Sequence, residues 1–473
     1  MMKPCRRPSG LSALAACLMA AGCTTMADVP TLDARIAAAW HATLPHGGST
    51  TDLVSWWSTF NDPSLTTLIG YAEAENPSLE SAAADIEKAR ATLASAHAGL
   101  QPELDGSGSL SRSGTGGETD NRVAASTTKS GGLDASWELD LFGKARSESE
   151  AARQRVGEQI ANWHDARVSL AAEVADYYVQ YRACRRIEKS YAVELTSQKE
   201  TIRATETAAA SGLTSSADLA LARASAASSS STLIAQRAEC EVLVKSLAQV
   251  TGGDEPRVRQ LLASGKARLP APKAFALKAV PATTLRQRPD INALELEVAA
   301  SLADLGAAKA DLYPSLSLSG SLTVSSASLT GTSVPWSFGP ALSVPLFDGG
   351  SRRAAVKSAL ADYNAAVADY RSGVLDAVSE IETALVRVDS TRRQIADAGV
   401  AARNYRSYFN SIDSNWKAGG ASLLDREDAR RSAQSAEISL IETERDAVRY
   451  WIELYKALGG GWETTAASPG PAQ

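Results

Sequence analysis

The two halves of this chain repeat one pattern of residues, and the repeat limits what the chain can fold into. A shift of 212 residues places Pro77 on Pro289 without a gap, and a shift of 207 residues places Gly212 on Gly419. Further pairs follow at these two shifts: Leu100 with Leu312, Pro102 with Pro314, Asp218 with Asp425, Arg223 with Arg430, and Leu247 with Leu454. The repeated unit contains both long helical patterns and short alternating ones. We therefore predict a mixed α/β protein with two structural repeats per chain.

Composition and motifs argue against several classes of function. The 473 residues carry a net charge of −6, with a pI of about 5.5, so nothing indicates a nucleic-acid partner. The four histidines, His41, His46, His97 and His164, show no metal-ligand spacing, and no nucleophile or phosphate-binding motif appears. We predict a protein that is not an enzyme and needs no cofactor or metal.

Residues 1–22 have the pattern of an export signal. A basic start at 3–7 is followed by an apolar run from Leu11 to Gly22, which is too short to cross a bilayer. The small residues before Cys23 resemble the lipobox of bacterial lipoproteins, in which the cysteine becomes acylated. The pattern predicts a lipoprotein signal peptide at 1–22 and lipid attachment at Cys23.

Cys17 is the alternative attachment site. Leu14 lies three residues before it, as the lipobox pattern prefers, but the apolar run would then be about six residues, below the usual 7–15. This length favours Cys23. Thr24 stands where lipoproteins retained at the inner membrane tend to have aspartate, so the resemblance implies sorting to the outer membrane.

Two long segments have the periodicity of helices with one continuous apolar seam. No proline occurs between Gly349 and Trp416, and apolar residues recur at steps of three and four; Lys144–Ala210 shows the same pattern. At 1.5 Å per residue each helix would be about 100 Å long. Small-residue turns follow at about 211–217 and 417–423, and each precedes a return helix.

Four shorter segments alternate apolar and polar residues, at about 101–112, 131–142, 313–325 and 335–347. Each has about 10 residues, enough for a tilted strand to cross a bilayer. A half-buried strand of a soluble sheet has the same period and is the alternative. Four strands cannot close a barrel, and an open edge in lipid is not tolerated, so strands that span must come from several copies.

These elements divide the chain into segments. The predicted divisions are an N-terminal lead at 23–63, a first repeat at 64–253, a connecting segment at 254–281, a second repeat at 282–462, and a disordered tail at 463–473.

Several motifs in order resemble one family, the TolC-like outer-membrane efflux proteins. The motifs are Trp137–Arg146, Arg288–Ile291 with Glu295, Tyr313–Ser315, Val344–Gly350 and Leu454–Trp462. The similarity runs from about Trp56 to Trp462. The lipobox and the triple glycine at 459–461 resemble the lipoprotein branch that serves resistance-nodulation-division pumps.

The resemblance implies a homotrimer in the outer membrane. Four strands from each protomer would form a 12-stranded β-barrel in outer-membrane lipid, continued by a long periplasmic α-helical barrel. A periplasmic adaptor protein and an inner-membrane pump would dock at the helical tip. Such a lipid-anchored duct would conduct drugs or other small molecules passively. The exported cargo and the cognate pump and adaptor are not determined by the sequence.

The resemblance also implies a periplasmic aperture on the return helix after the second turn. Leu424 occupies the place of the apolar plug and Asp428 that of the acidic ring, with Asp425 as a competing carboxylate. Three copies of an apolar side chain resist wetting, and three carboxylates attract cations. The alternative is ordinary surface charge on a coiled coil.

The two turns are the expected adaptor contacts, because their small residues allow another hairpin to approach closely. They include Gly212 and Leu213 in the first turn and Gly419 and Gly420 in the second. A plain helix connection is the alternative.

Two cysteines, Cys184 and Cys240, each lie 28 residues from Gly212 on opposite arms of the first hairpin. They can form a disulfide in an oxidising compartment or remain two buried thiols.

Two other functions fit the same pattern. One is a metal-cation or type I protein-secretion duct of the same fold. The other is a non-conducting, lipid-anchored coiled-coil structural protein.

Overall fold

The structure, a computed structural model, describes residues 56–117, 120–264, 268–270, 272, 285, 287–328 and 330–461, without the side chains of 115–124 and 461. The predicted signal peptide, Cys23, most of the lead segment, part of the connecting segment and the predicted tail lie outside these residues.

Eight α-helices and two short 3-10 helices occur in the described chain. The α-helices are α1 (Pro63–Glu75), α2 (Pro77–Ala98), α3 (Lys144–Ala210), α4 (Ser216–Val250), α5 (Glu255–Ser264), α6 (Pro289–Ala310), α7 (Ser351–Lys417) and α8 (Leu423–Ala457); the 3-10 helices are Trp56–Phe60 and Gly459–Gly461. Among the described helices, none combines the length and apolar character needed for a bilayer crossing.

The long helices occur in pairs of equal length, which matches the repeat in the sequence. Helices α2 and α6 have 22 residues each, α3 and α7 have 67, and α4 and α8 have 35.

Two glycines repeat the same close approach after the return helices. Gly252 and Gly459 have φ of +88° and +79°, and a Cβ on either would lie 2.7 Å from the carbonyl oxygen of Glu75 or Gln287, respectively. Only glycine combines this backbone conformation with such a contact.

The described chain falls into two compact units. The first contains Ala84–Ile160 and the described part of Ala293–Arg371, and the second contains 56–83, the described part of Ala161–Asn292, and 372–461.

The first unit contains one antiparallel sheet. Its strands are β1 (Glu103–Gly117), β2 (Asp120–Leu139), β3 (Ser315–Ala327), β4 (Gly331–Ser333) and β5 (Trp336–Ser343). The strand order is β1–β2–β3, and both β4 and β5 pair with β3. Strand β4 pairs with residues 325–327 of β3, and strand β5 pairs with residues 315–322. Strands β4 and β5 thus share one position, so the sheet is four strands wide.

Strand β2 begins at Asp120, earlier than the start at about 131 that alternation predicts. The segment from Thr127 to Ser130 has only polar residues and no apolar alternation, yet it pairs with both β1 and β3. Backbone hydrogen bonds to two neighbours, which periodicity does not report, extend the strand. Strand β5 ends at Ser343, before Pro345, which cannot donate to a ladder.

The two faces of this sheet differ in chemistry. The register places Leu133 opposite Leu322, and Leu322 opposite Trp336, on one face. That face carries exposed apolar side chains at Leu104, Leu110, Leu133, Leu322, Val324, Trp336, Phe338 and Leu342. The other face carries Asp105, Ser107, Asp134, Ser136, Ser317, Ser319 and Ser337.

In the second unit, ion pairs define the order of the four long helices. Arg237 of α4 bonds Glu188 of α3 at 3.1 Å. Helix α3 joins α8 through Arg186–Glu444 and Asp176–Arg449, and α8 joins α7 through Arg387–Glu453 at 2.9 Å. The order is α4–α3–α8–α7, which leaves α4 and α7 as the outer helices.

Cys184 and Cys240 form a disulfide between α3 and α4, with Cα atoms 5.6 Å apart. Both cysteines are buried and pack against Leu243, Tyr177 and Tyr181. The structure therefore resolves the pairing that the sequence left open.

A buried arginine joins the start of α6 to the end of α8. Arg288 donates to Asp290 at 2.6 Å, to Glu380 at 2.9 Å and to the carbonyl of Ala457 at 2.8 Å. Asp165, which interacts with this group, has a raised pKa. Burial is the largest cause and the charge of Asp290 is the next, whereas Lys456 and Arg288 act in the opposite direction.

Candidate functional site at the two hairpin tips

The two hairpin tips of the second unit are built alike. Helix α3 ends at Ala210, followed by Gly212 with φ of +73°; helix α7 ends at Lys417, followed by Gly419 with φ of +79°. Both positive φ values are strained for residues with a Cβ, so glycine at these two positions allows each helix to stop and reverse.

Each return helix begins with a capping box. Ser215 accepts from the amide of Asp218 while its own amide donates to the Asp218 carboxylate, and Ser422 and Asp425 do the same on α8. These bonds satisfy amides that a helix start would otherwise leave unpaired.

Asp425 is committed to this cap. Its carboxylate accepts from the Ser422 hydroxyl at 2.6 Å and from the Ser422 amide at 3.2 Å, and these two bonds lower its pKa. The arrangement supports a local structural role for Asp425 and leaves Asp428 as the aperture carboxylate to test. The Asp428 side chain is 54% exposed and pairs with Arg431, which is 75% exposed.

The leucines at the tips differ in exposure. Leu213 is 81% exposed and Leu424 is 56% exposed, whereas the adjacent Leu423 is buried at 6%. Leu213 and Leu424 are therefore available to contact another chain, and Leu423 packs within its own.

Below the second tip lies a buried charged cluster, which we call the tip cluster. Its members are Glu194, Gln198 and Thr201 of α3, Asp413 of α7, and Arg426, Glu427 and Arg430 of α8. All except Asp413 are at most 8% exposed.

Arg426 is bonded to both neighbouring helices. It donates to Asp413 at 2.6 Å, to the Thr201 hydroxyl at 2.8 Å and to Glu427 at 3.0 Å. Its guanidinium carbon also lies 4.7 Å from the centroid of the Trp416 ring. Stacking and charge-assisted bonds thus hold the first turn of α8 against α3 and α7.

Glu427 is the shared anion of the tip cluster. It accepts from Arg430 at 2.7 Å, from Gln198 at 2.8 Å and from Arg426, while Arg430 also pairs with Glu194. Asp413 is partly buried, which would raise its pKa, but bonds from Lys417 and Arg426 outweigh this burial and lower the pKa.

The sequence did not predict this cluster, although residues 425–427 are all charged. One signal was present: Glu194, Gln198, Thr201 and Thr205 recur at steps of four and three along α3, and all four are buried. Polar residues at helical spacing on a buried face indicate a polar contact with a neighbouring helix.

The family model for outer membrane efflux proteins matches residues 68–253 and 280–460. The chain belongs to the outer membrane efflux protein family. The resemblance inferred from the sequence is thereby confirmed, and the two matched segments correspond closely to the two predicted repeats.

Relatives of this efflux protein match nearly end to end. Nodulation protein T of Rhizobium leguminosarum bv. trifolii is 30% identical over 437 residues, covering 90% of this chain and 92% of the relative. The toluene efflux pump outer membrane protein TtgI of Pseudomonas putida is 30% identical over 471 residues, covering 95% and 98%.

A solved structure matches the fold of this efflux protein. The open state of the Neisseria gonorrhoeae MtrE outer membrane channel superposes with a TM-score of 0.80 at 27% identity, covering 91% of this chain and 97% of that one. The efflux protein therefore has the TolC-like outer-membrane channel fold. Within the described residues, no cluster of three or more histidine, cysteine or acidic side chains has an arrangement suited to a metal ion.

Proposed function

We propose that the protein is the outer-membrane exit duct of a tripartite efflux system. It passively conducts drugs or other small molecules, delivered by an inner-membrane pump through a periplasmic adaptor, to the cell exterior. The observation that carries the proposal is the exposed apolar face of the sheet. Four strands from one copy are too few to close into a barrel, so one copy cannot place this face in lipid without leaving open sheet edges there.

The apolar face fits contact with lipid. Side chains such as Trp336, Phe338 and Leu110 are between 71% and 76% exposed, and they share one face with the other apolar residues of the sheet. Such a continuous apolar surface is costly in water and favourable in a bilayer. The opposite face, with its serines and aspartates, suits a water-filled lumen.

The free edges of the sheet support a shared barrel. Strand β1 pairs only with β2, and β5 pairs only with β3, among the described residues. A head-to-tail contact between β1 of one copy and β5 of the next satisfies both edges and generates a closed ring. Three copies of a sheet four strands wide give the twelve strands that the resemblance implies.

The outer helices of the second unit support the same assembly. Helix α4 exposes Ile234 and Val242, and helix α7 exposes Leu375, Val386 and Val400, each by at least 48%. Because α4 and α7 stand at opposite ends of the helix order, a head-to-tail contact between copies would pair α4 of one copy with α7 of the next. A homotrimer buries both apolar edges without changing the fold of a copy.

The tips fit the remaining roles. Leu424 and Asp428 line the periplasmic aperture, and Gly212, Leu213, Gly419 and Gly420 contact the adaptor. The signal peptide at 1–22 directs export, and the lipid on Cys23 assists anchoring in the outer membrane, since one lipid alone binds weakly.

Recordings from the purified protein in planar bilayers test the proposal. We expect conductance steps, with cation selectivity that falls in Asp428→Asn, because the aperture loses three negative charges. Asp425→Asn removes an equal charge three residues away, so a larger fall in selectivity for Asp428→Asn than for Asp425→Asn assigns the acidic ring to Asp428, and the reverse assigns it to Asp425.

A purified protein that is monomeric by light scattering in detergent and never conducts would contradict the duct and favour the coiled-coil structural protein. Drug-susceptibility and metal-sensitivity profiles of a deletion strain identify the cargo class. Selective loss of metal resistance would favour the metal-cation duct, and loss of a secreted protein would favour type I secretion.

A further inference from the structure

The second unit contains a cavity of about 1600 Å³ that the aperture and the tips do not use. Most of its lining comes from α3 and α8, and α7, α5, Val244 of α4, residues 268–270 and Pro272 complete it.

The described lining of the cavity has a surplus of positive charge. Eight arginine or lysine side chains line it, against four glutamates. Every one of these glutamates already has an arginine partner from the same lining, in the pairs Arg185–Glu188, Arg186–Glu444, Arg406–Glu437 and Arg430–Glu194. Four cations remain after these pairs are formed.

One of the four is neutralised from outside the cavity. Arg259 pairs with Glu241 and Glu255, neither of which lines the cavity. Arg182, Lys189 and Arg268 have no carboxylate within ion-pair distance among the described residues. Lys189 and Arg268 are exposed, so water can solvate them.

Arg182 is different because it is only 5% exposed. Its guanidinium donates to the Tyr178 hydroxyl at 2.8 Å and to the carbonyl of Leu262 at 3.1 Å, both uncharged acceptors. Its Nε–H is buried and has no acceptor in the described chain. The Tyr178 hydroxyl in turn donates to the carboxylate of Asp62 at 2.6 Å, so this negative charge reaches Arg182 only through a hydroxyl. A buried charge without a direct counterion, and a buried donor without an acceptor, each cost free energy that an anionic group in the cavity would recover.

Apolar side chains complete the lining. Leu440, Ile441, Val448 and Trp451 of α8 face the same cavity. Binding sites for organic ligands combine such apolar walls with a few polar groups that fix orientation. We propose that this cavity binds an organic anion through its carboxylate or phosphate group, with Arg182 as the buried donor and Lys189 and Arg268 as the cations at the rim.

Thermal unfolding of the full chain, purified in a nonionic detergent at low ionic strength, tests this site. Citrate and inorganic phosphate are the probes, and sodium chloride at equal ionic strength is the reference. We expect a saturable rise of the melting temperature with at least one probe beyond that with chloride, because a ligand that binds only the folded state stabilises it by mass action. A response to citrate alone assigns a polycarboxylate, and a response to phosphate alone assigns a phosphate ligand.

The double variant Lys189→Gln with Arg268→Gln should raise the half-saturating probe concentration about 10-fold or more, since two charge-assisted contacts are lost. Lys199→Gln is the matched control, because Lys199 is an exposed lysine of α3, the helix that also carries Lys189, but it does not line the cavity.

Arg182→Gln should abolish the saturable rise of the melting temperature; if that variant does not fold, the double variant decides alone. Equal stabilisation by probe and chloride, or equal weakening by Lys199→Gln, would overturn the site. The readout requires no conduction, so it is independent of the proposed duct.

Discussion

Replacing Glu427 with glutamine removes the shared anion of the tip cluster while keeping the shape of the side chain. In the native chain, Glu427 accepts from Arg426 and Arg430 and from Gln198, and it is 6% exposed. After the change, Arg426 retains Asp413 and Arg430 retains Glu194. The variant therefore weakens the attachment of α8 to α3 without removing every counterion.

The expected magnitude follows from burial. Breaking a buried ion pair completely costs about 3–5 kcal/mol. Since each arginine keeps one carboxylate, we expect about 2 kcal/mol for this variant, which corresponds to about a 30-fold change in an equilibrium between two states. If the tip cluster holds the aperture closed, the ratio of open to closed time should rise about 30-fold.

Single-channel recordings at fixed voltage measure this ratio. Glu437→Gln is the control, because Glu437 lies on the same helix and pairs with Arg406, yet both side chains are partly exposed. Such exposed pairs contribute about 0–1 kcal/mol, so its effect should stay below about fivefold. Equal open times in the two variants, with both melting temperatures close to that of the native protein, would refute the reasoning.

Three further predictions concern stability. Replacing Cys184 and Cys240 with serine should lower the free energy of unfolding by about 4 kcal/mol for a sequence separation of 56 residues, as measured by denaturation against the native protein under non-reducing conditions. Replacing Asp165 with asparagine should raise the melting temperature at pH 7, because its raised pKa means that the folded state disfavours the carboxylate. This gain should vanish as the pH falls below the ordinary aspartate value, where the carboxyl is protonated in both states, and a gain independent of pH would contradict the assignment. Replacing Ser422 with alanine should cost about 1 kcal/mol and speed amide exchange in the first turn of α8, where the Asp425 amide would lose the Ser422 hydroxyl as its acceptor; unchanged exchange would show that the cap contributes nothing.

The family and the position of the main helices follow from the sequence because their signals are local and repeated. A seam at steps of three and four, a glycine in the left-handed conformation after each long helix, and a serine–aspartate pair at each return all act within a few residues of chain. The tips at Gly212 and Gly419 were therefore predictable, and the motifs from Trp137 onward identified the family.

Contacts between distant segments were decided only by the tertiary structure. The early start of β2 depends on backbone bonds to β1 and β3, and the Cys184–Cys240 disulfide depends on which sides of two helices face each other. The tip cluster joins residues of α3, α7 and α8, and two of its bonded members, Thr201 and Arg426, lie 225 positions apart. Arg182 is buried where it donates to the Leu262 carbonyl of α5. Local pattern reports which face of an element is polar, but the partner of that face, and whether water still reaches it, are properties of the packed chain.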